Sequence, residues 1–314
     1  MPSQWPDYSV QDFDIDFSWL NTKEFFGTYL GFYNNLPPDM TVQIQPFNLN
    51  QLVRRIQSSI CSMAEDAQTP FVKLLHHDEE TIDTFLDETL VVCAAYVNRT
   101  KHNITALNRT IARKYIKLMH TLSDYMSLDV MLHALQATIL FEIMLLFDED
   151  ASMRNLAGHH FTTIEAAMKD LQQRLSEELA YPTLYPGDDS TSRYSRWLML
   201  ENIRRLVIAH WIVKAAYTHL RDGYCTLVPV LVRLPLTRSG DLWTASTEDE
   251  WRLKTQEEQS KVAVVPYIEA LDYWVTNDCN NMDEFQIMLF EACKTMPTTA
   301  EWRTNSSKVR NETY

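Results

Sequence analysis

Six glycines in 314 residues is about 2 %, against ~7 % in an average chain. That leaves too few tight turns for a nucleotide-binding α/β sheet or a β-sandwich. Apolar residues make up 46 %, and 42 acids against 28 bases give a net charge of −14, which disfavours a phosphate-gripping surface.

The first forty-five residues stand apart. Asp7, Asp12, Asp14, Asp16, Glu24 and Asp39 against Lys23 give a local charge of −6 + 1 = −5. Trp5, Tyr8, Phe13, Phe17 and Trp19 are interleaved with those acids. Two readings stay open: an activation-type segment whose mutually repelling carboxylates keep its aromatics available to a partner, or an arm whose aromatics pack on the main domain. Pro37-Pro38-Asp39 marks a break.

From Phe47 to about Cys293 the chain reads as successive helices. Leu52, Ile56, Ser59-Ile60 and Met63 keep helical spacing, as do Phe85, Leu86, Leu90 and Val91 to Ala94. Ile104, Leu107, Ile111, Tyr115, Leu118 and Leu122 recur at three and four, an amphipathic stripe. Val130 to Phe141 is apolar on nearly all sides and belongs in the middle of a bundle. Leu156 to Leu175 reads as one helix, closed by Pro182 and Pro186-Gly187, and Trp197 to Leu220 as the longest. Thr247-Glu248-Asp249-Glu250 has the form of a capping box and starts a helix carrying Trp251. Asp283 begins the last one, which Pro297 stops. The expected architecture is all-α: an arm (1–45), a multi-helix bundle-like domain (46–296) and a polar tail (297–314).

Chemistry is harder to find. Cys61, Cys93, Cys225, Cys279 and Cys293 are scattered without a CxxC, so they read as buried apolar residues rather than metal ligands. His76-His77 with Asp78-Glu79-Glu80 and the pair His159-His160 are the densest histidine clusters. Adjacent histidines on a helix diverge by about 100°, and a solvated acidic turn is the better reading of the first. Neither GxSxG nor HExxH occurs. No catalytic residue, cofactor or metal is assigned. No secretory signal is expected, no apolar stretch is expected to reach membrane-spanning length, and the five N-x-S/T sequons are read as chance.

One constellation is specific. In Trp197-Leu-Met-Leu-Glu201-Asn-Ile-Arg204-Arg205, the carboxylate reaches both guanidinium groups at i+3 and i+4. Trp197 is expected to stack on the same side, one turn earlier. Apolar surroundings favour a partly buried structural anchor over an exposed ion-pair face.

This W-x-x-x-E-x-x-R-R helix resembles the fungal-specific transcription factor domain, the helical regulatory part that usually follows a Zn2Cys6 cluster. Thr69-Pro70-Phe71-Val72 is similar to a turn of regulators of secondary-metabolite gene clusters. Leu135 to Leu140, with Arg154 and His159 beyond it, resembles another segment. Leu234-Pro235-Leu236 followed by Leu242-Trp243-Thr244-Ala245-Ser246 and Trp251 resembles a further one. The structural motif residues are therefore Trp197, Glu201, Arg204, Arg205, Trp243 and Trp251, and the activation-type residues Trp5, Phe13, Phe17 and Trp19. The six-cysteine cluster of that family is not found in this sequence. The resemblance then implies a nuclear transcriptional regulator of a secondary-metabolite cluster that reaches promoters through a DNA-bound partner or the transcription machinery. It is expected to accept a small-molecule effector and to touch neither DNA nor membrane itself. The alternative is a repurposed domain catalysing an isomerisation or cyclisation with His133, His210 and Glu142.

Overall fold

The computed structural model describes residues 44, 46–74, 84–122, 126–180, 193–232, 234–257, 264–276 and 282–293. The arm with Trp5, Phe13, Phe17 and Trp19, the tail, His76-His77 and Cys279 lie outside the described residues.

Eleven α-helices are present among the described residues. They are α1 (Pro46–Asp66), α2 (Thr84–Val97), α3 (Ile104–Thr121), α4 (Leu128–Leu146), α5 (Ala151–Gly158), α6 (Phe161–Ala180), α7 (Arg193–Asp222), α8 (Val228–Leu231), α9 (Glu248–Glu257), α10 (Tyr267–Thr276) and α11 (Glu284–Cys293). A 3-10 turn occupies Gly240–Thr244. The fold is all-α, with one antiparallel ribbon in which β1 (Pro235–Thr237) pairs with β2 (Val264–Pro266), Leu236 opposite Val265.

The apolar spacing explains the packing. In α1 the buried residues are Leu49, Leu52, Ile56, Ser59, Ile60 and Met63, one stripe at three and four. In α3 they are Ile111, Tyr115, Leu118 and Met119. Helix α4 has no polar stripe, and from Met131 to Leu146 every residue except His133 is buried. It is ringed by α1, α2, α3, α5, α6 and α7, so the core is built around it. At 19 residues this helix is long and apolar enough to cross a membrane, contrary to the sequence expectation. Its burial by six neighbouring helices accounts for the same composition.

The expected single helix over Leu156–Leu175 is two. Helix α5 ends at Gly158, His159 N–H donating to Asn155 O at 3.1 Å and His160 N–H to Ala157 O at 3.0 Å. Helix α6 restarts at Phe161. At Gly158 the ring of Tyr217 from α7 lies 3.8 Å from where a Cβ would stand. The Thr247 cap forms with a shifted partner: Glu250 N–H donates to Thr247 Oγ1 at 3.3 Å, while the Glu250 carboxylate accepts from Ser246 N–H at 2.8 Å.

Leu135 is fully enclosed in α4. Leu135→Ala is expected to cost about 2–5 kcal/mol through the cavity it leaves. The measurement is a lower urea midpoint with helical circular dichroism retained before the transition.

Candidate functional site

The specific constellation becomes a fully buried polar junction. Glu201, Arg204 and Arg205 sit on the inward face of α7 with 2 %, 7 % and 2 % exposure. Arg205 is the largest of the fully buried side chains. Its Nε donates to Glu201 Oε1 at 2.8 Å, one terminal nitrogen donates to Pro70 O at 2.9 Å, and the other donates to Asp283 Oδ2 at 2.5 Å. The guanidinium carbon lies 4.2 Å from the Trp243 ring centroid and 4.8 Å from that of Phe285, stacking distances for a desolvated cation. The second Glu201 oxygen takes Arg204 and the Thr237 hydroxyl, the latter at 2.6 Å.

Each partner is held by its own local chemistry. Pro70 belongs to a tight turn in which Thr69 N–H donates to Val72 O at 2.8 Å and Phe71 N–H to Thr69 Oγ1 at 3.1 Å. Asp283 caps α11, accepting from Gln286 N–H at 2.8 Å, while Gln286 Oε1 accepts from Asp283 N–H at 3.3 Å. This reciprocal pair satisfies two amides at the helix start. Gln286 Nε2 then donates to Thr237 O at 3.0 Å and Arg238 O at 3.2 Å, tying α11 to β1. Gly240 lets the 3-10 turn approach: an added Cβ would stand 2.8 Å from the Asp283 backbone nitrogen.

A neighbouring layer continues the junction. Asn202 Oδ1 accepts from Lys73 N–H and from Gln136 Nε2, both at 2.9 Å, and its Nδ2 donates to Lys73 O and Leu198 O, both at 3.0 Å. Lys73 Nζ donates to Trp243 O at 2.6 Å and Ala245 O at 2.5 Å. Burial, with Arg205 and Lys254 nearby, pulls the Lys73 ammonium down to about 8. Thus Pro70, Gln136, Glu201, Thr237 and Trp243, from four separate stretches of sequence, meet in two adjoining hydrogen-bonded layers that the Trp243 ring over Arg205 joins.

Burial alone would push the Glu201 carboxyl up, but Arg204 and Arg205 hold it below the ordinary range. For Asp283 burial wins, and its carboxyl is raised despite Arg205. The four charges of Glu201, Arg204, Arg205 and Asp283 sum to zero.

The tryptophans sort differently from expectation. The ring under Arg205 is Trp243. Trp197 instead packs with Tyr194 at 6.3 Å and Trp251 at 5.8 Å between centroids. Trp197 is only half-buried, so an aromatic cluster at the start of α7 replaces the expected stack on the triad. Arg154 donates to Asp148 O at 2.6 Å and Glu149 O at 2.8 Å, stapling the turn after α4.

A second buried polar group joins α4, α6 and α7. His210 Nδ1 lies 3.2 Å from Glu142 Oε2, its Nε2 lies 3.5 Å from Glu165 Oε1, and Lys214 Nζ donates to that oxygen at 2.5 Å. Glu142 and His210 are both at 0 % exposure. Burial raises the Glu142 carboxyl even though His210 opposes it. Burial would lower His210, but Glu142 and Glu165 override it and raise it. Sequence reading named Glu142 and His210 but missed Glu165 and Lys214. Their i+4 relation to Phe161 and His210 was the available signal. His133 is half-buried two and a half turns before Glu142 on α4 and does not join them. Among the described residues no group of three or more His, Cys, Asp or Glu is arranged to hold a metal ion.

Two predictions follow from these geometries. Arg205→Met leaves Asp283 buried without its cation and Glu201 with Arg204 alone, so a loss of about 3–5 kcal/mol is expected in urea unfolding. Raised carboxyl and imidazole values both mean that the folded state binds more protons than the unfolded one. Stability from Glu142 and His210 therefore falls as pH rises above 4.5 and then above 6.5, their ordinary values. Glu142→Gln is expected to flatten the decline in unfolding free energy between pH 5 and 7.5; an equally steep decline in the variant would contradict the assignment.

No family model and no solved structure matches the chain. It is similar to the curated protein named transcription factor gsfR2 of Penicillium aethiopicum, 27 % identical over 232 residues, which is 72 % of this chain and 54 % of that protein. The chain thus spans about half the length of the curated relative it matches, and the similarity places it beside a fungal transcription factor.

Proposed function

We propose that this chain is a transcriptional regulator acting in the nucleus on a fungal secondary-metabolite gene cluster. It makes promoter contact through a DNA-bound partner and uses the aromatics Trp5, Phe13, Phe17 and Trp19 to recruit transcription machinery. The observation that carries the reading is the similarity of 72 % of the chain to a protein named as a transcription factor. It is supported by the meeting of Pro70, Gln136, Glu201, Arg205, Thr237 and Trp243 in one junction. All of these except Thr237 come from the separated stretches that resemble the fungal-specific transcription factor domain. The net charge of −14 favours protein partners over phosphate for the molecule as a whole.

The catalytic alternative draws on Glu142 and His210, which do meet. A general acid–base pair must come within hydrogen-bond reach of a substrate, and both side chains are fully buried. The approach of His210 to Glu165, which Lys214 binds in turn, gives the pair a packing role, and the regulator is the better-supported reading.

Deleting the gene and measuring transcripts of its chromosomal neighbours tests the proposal. The expected result is a several-fold drop in a contiguous set of biosynthetic transcripts. Unchanged transcripts together with an accumulated pathway intermediate would overturn the regulator and favour the enzyme.

A further inference from the structure

The acidic balance of the chain hides a reversal. Between Thr89 and Ser123 there is no Asp or Glu, while Arg99, Lys101, Arg109, Arg113, Lys114 and Lys117 contribute six positive charges. At about 100° per residue, Arg109, Arg113 and Lys117 line one side of α3, opposite the buried Ile111, Tyr115 and Leu118. All three cations are exposed, and among the described residues none of them is in an ion pair. Lys114, on the flank of the row, is already taken up by Glu88 at 2.6 Å. The row covers 117 − 109 = 8 positions, about 12 Å of helix. Among the described residues of α3, Ile116 is the one large apolar side chain exposed, at 40 %.

We propose that this face of α3 is a contact for the phosphate backbone of duplex DNA, made without reading base sequence. One strand of a duplex carries a phosphate about every 3.4 Å of its axis, so a row of about 12 Å meets three of them. Two of the three cations are arginines, whose planar donors fork onto phosphate oxygens. Other polyanions fit less well. An anionic membrane would take α3 by its apolar side, but Ile111, Tyr115, Leu118 and Met119 are buried in the core. An acidic protein would need apolar or aromatic anchors at the centre of its interface, and this face offers Ile116 alone. The net charge of −14 keeps the contact weak. A surface field fades over about 8–10 Å at physiological salt, so the row acts only when α3 is brought against the duplex. A DNA-bound partner creates that situation. The choice of DNA rests on the regulatory reading, and it adds that α3 is the side of the molecule turned toward the promoter.

Fluorescence anisotropy of the full chain with labelled duplexes of two unrelated sequences tests this. Both duplexes should bind equally, because phosphates carry no sequence. The association constant should fall roughly 40-fold between about 50 and 200 mM salt, the dependence that three phosphate contacts give. Arg109→Gln, Arg113→Gln and Lys117→Gln should each reduce the logarithmic salt slope by about one. Arg54→Gln, which removes an exposed arginine of α1, should leave it unchanged. Helical circular dichroism of all four variants should match the parent. Absence of binding at the lowest salt, preference for one sequence, or an equal loss in Arg54→Gln would each overturn the proposal. So would polyglutamate of matched charge binding more tightly than duplex and losing that affinity in the same α3 variants, which would assign the face to an acidic protein. Transcripts that fall on gene deletion while the chain binds no duplex would leave the regulator standing and remove only the α3 contact.

Discussion

The guanidinium of Arg205 is the constraint on which the rest of the junction depends. A buried cation costs several kcal/mol unless every donor finds a partner. Here its donors are shared among Glu201 on its own helix, the Pro70 carbonyl in the turn after α1, and Asp283 at the start of α11. Its two faces are closed by Trp243 and Phe285. A lysine could neutralise the charge but not fork between three acceptors in one plane. Four segments separated by up to 213 residues (Asp283 − Pro70) are thereby held to one geometry. The dependence runs outward as well. Asp283 is oriented by its reciprocal capping bonds with Gln286 at the start of α11, and Gly240 must lack a side chain for the 3-10 turn carrying Trp243 to close over the arginine.

Helix α4 meets α7 through a second set of polar contacts that fix their register. Gln136 bonds Asn202, and Glu142 bonds His210. Both pairs ascend in sequence together, so the two helices run in the same sense where they touch. An apolar interface of Leu, Ile and Ala alone would tolerate sliding by a turn. Misplacing either pair leaves a buried amide or carboxylate without a partner, at a cost of about 1–3 kcal/mol or more. Glu165 and Lys214 extend the same control to α6. The polar residues on the core helix therefore specify an arrangement that the surrounding methyl groups do not.

Periodicity made much of this legible in the sequence. The stripes of α1 and α3 and the all-apolar run of α4 are long enough for spacing to identify both element and buried face. The i+3 and i+4 relation of Glu201 to its arginines identified the junction's centre, because helix geometry fixes that contact locally. What failed was non-local or short. The three-residue β1 and β2 strands carry no period, and Asp283 is 78 residues from Arg205. At the break before Phe161, Tyr217 packs beside Gly158, a contact between different helices that no local spacing announces. Trp197 had the right helical offset to cover Glu201, yet Trp243 takes the place beside Arg205, since only the tertiary path of the 3-10 turn decides which ring arrives.

Composition alone does not say which charges reach the surface. The doublet Arg204-Arg205, expected from its apolar surroundings to be a partly buried anchor, is buried and balanced by Glu201 and Asp283. They contribute nothing to the field outside. Arg109, Arg113 and Lys117 are dispersed at intervals of four and form no run, yet the helix gathers them on one exposed side without an acid between them. A field at the surface decays over about 8–10 Å at physiological ionic strength. A ligand meeting α3 therefore experiences those nearby cations more than the net −14 of the whole chain. A molecule acidic in total can thus carry a locally cationic surface, and the helical repeat, rather than composition, determines where that surface lies.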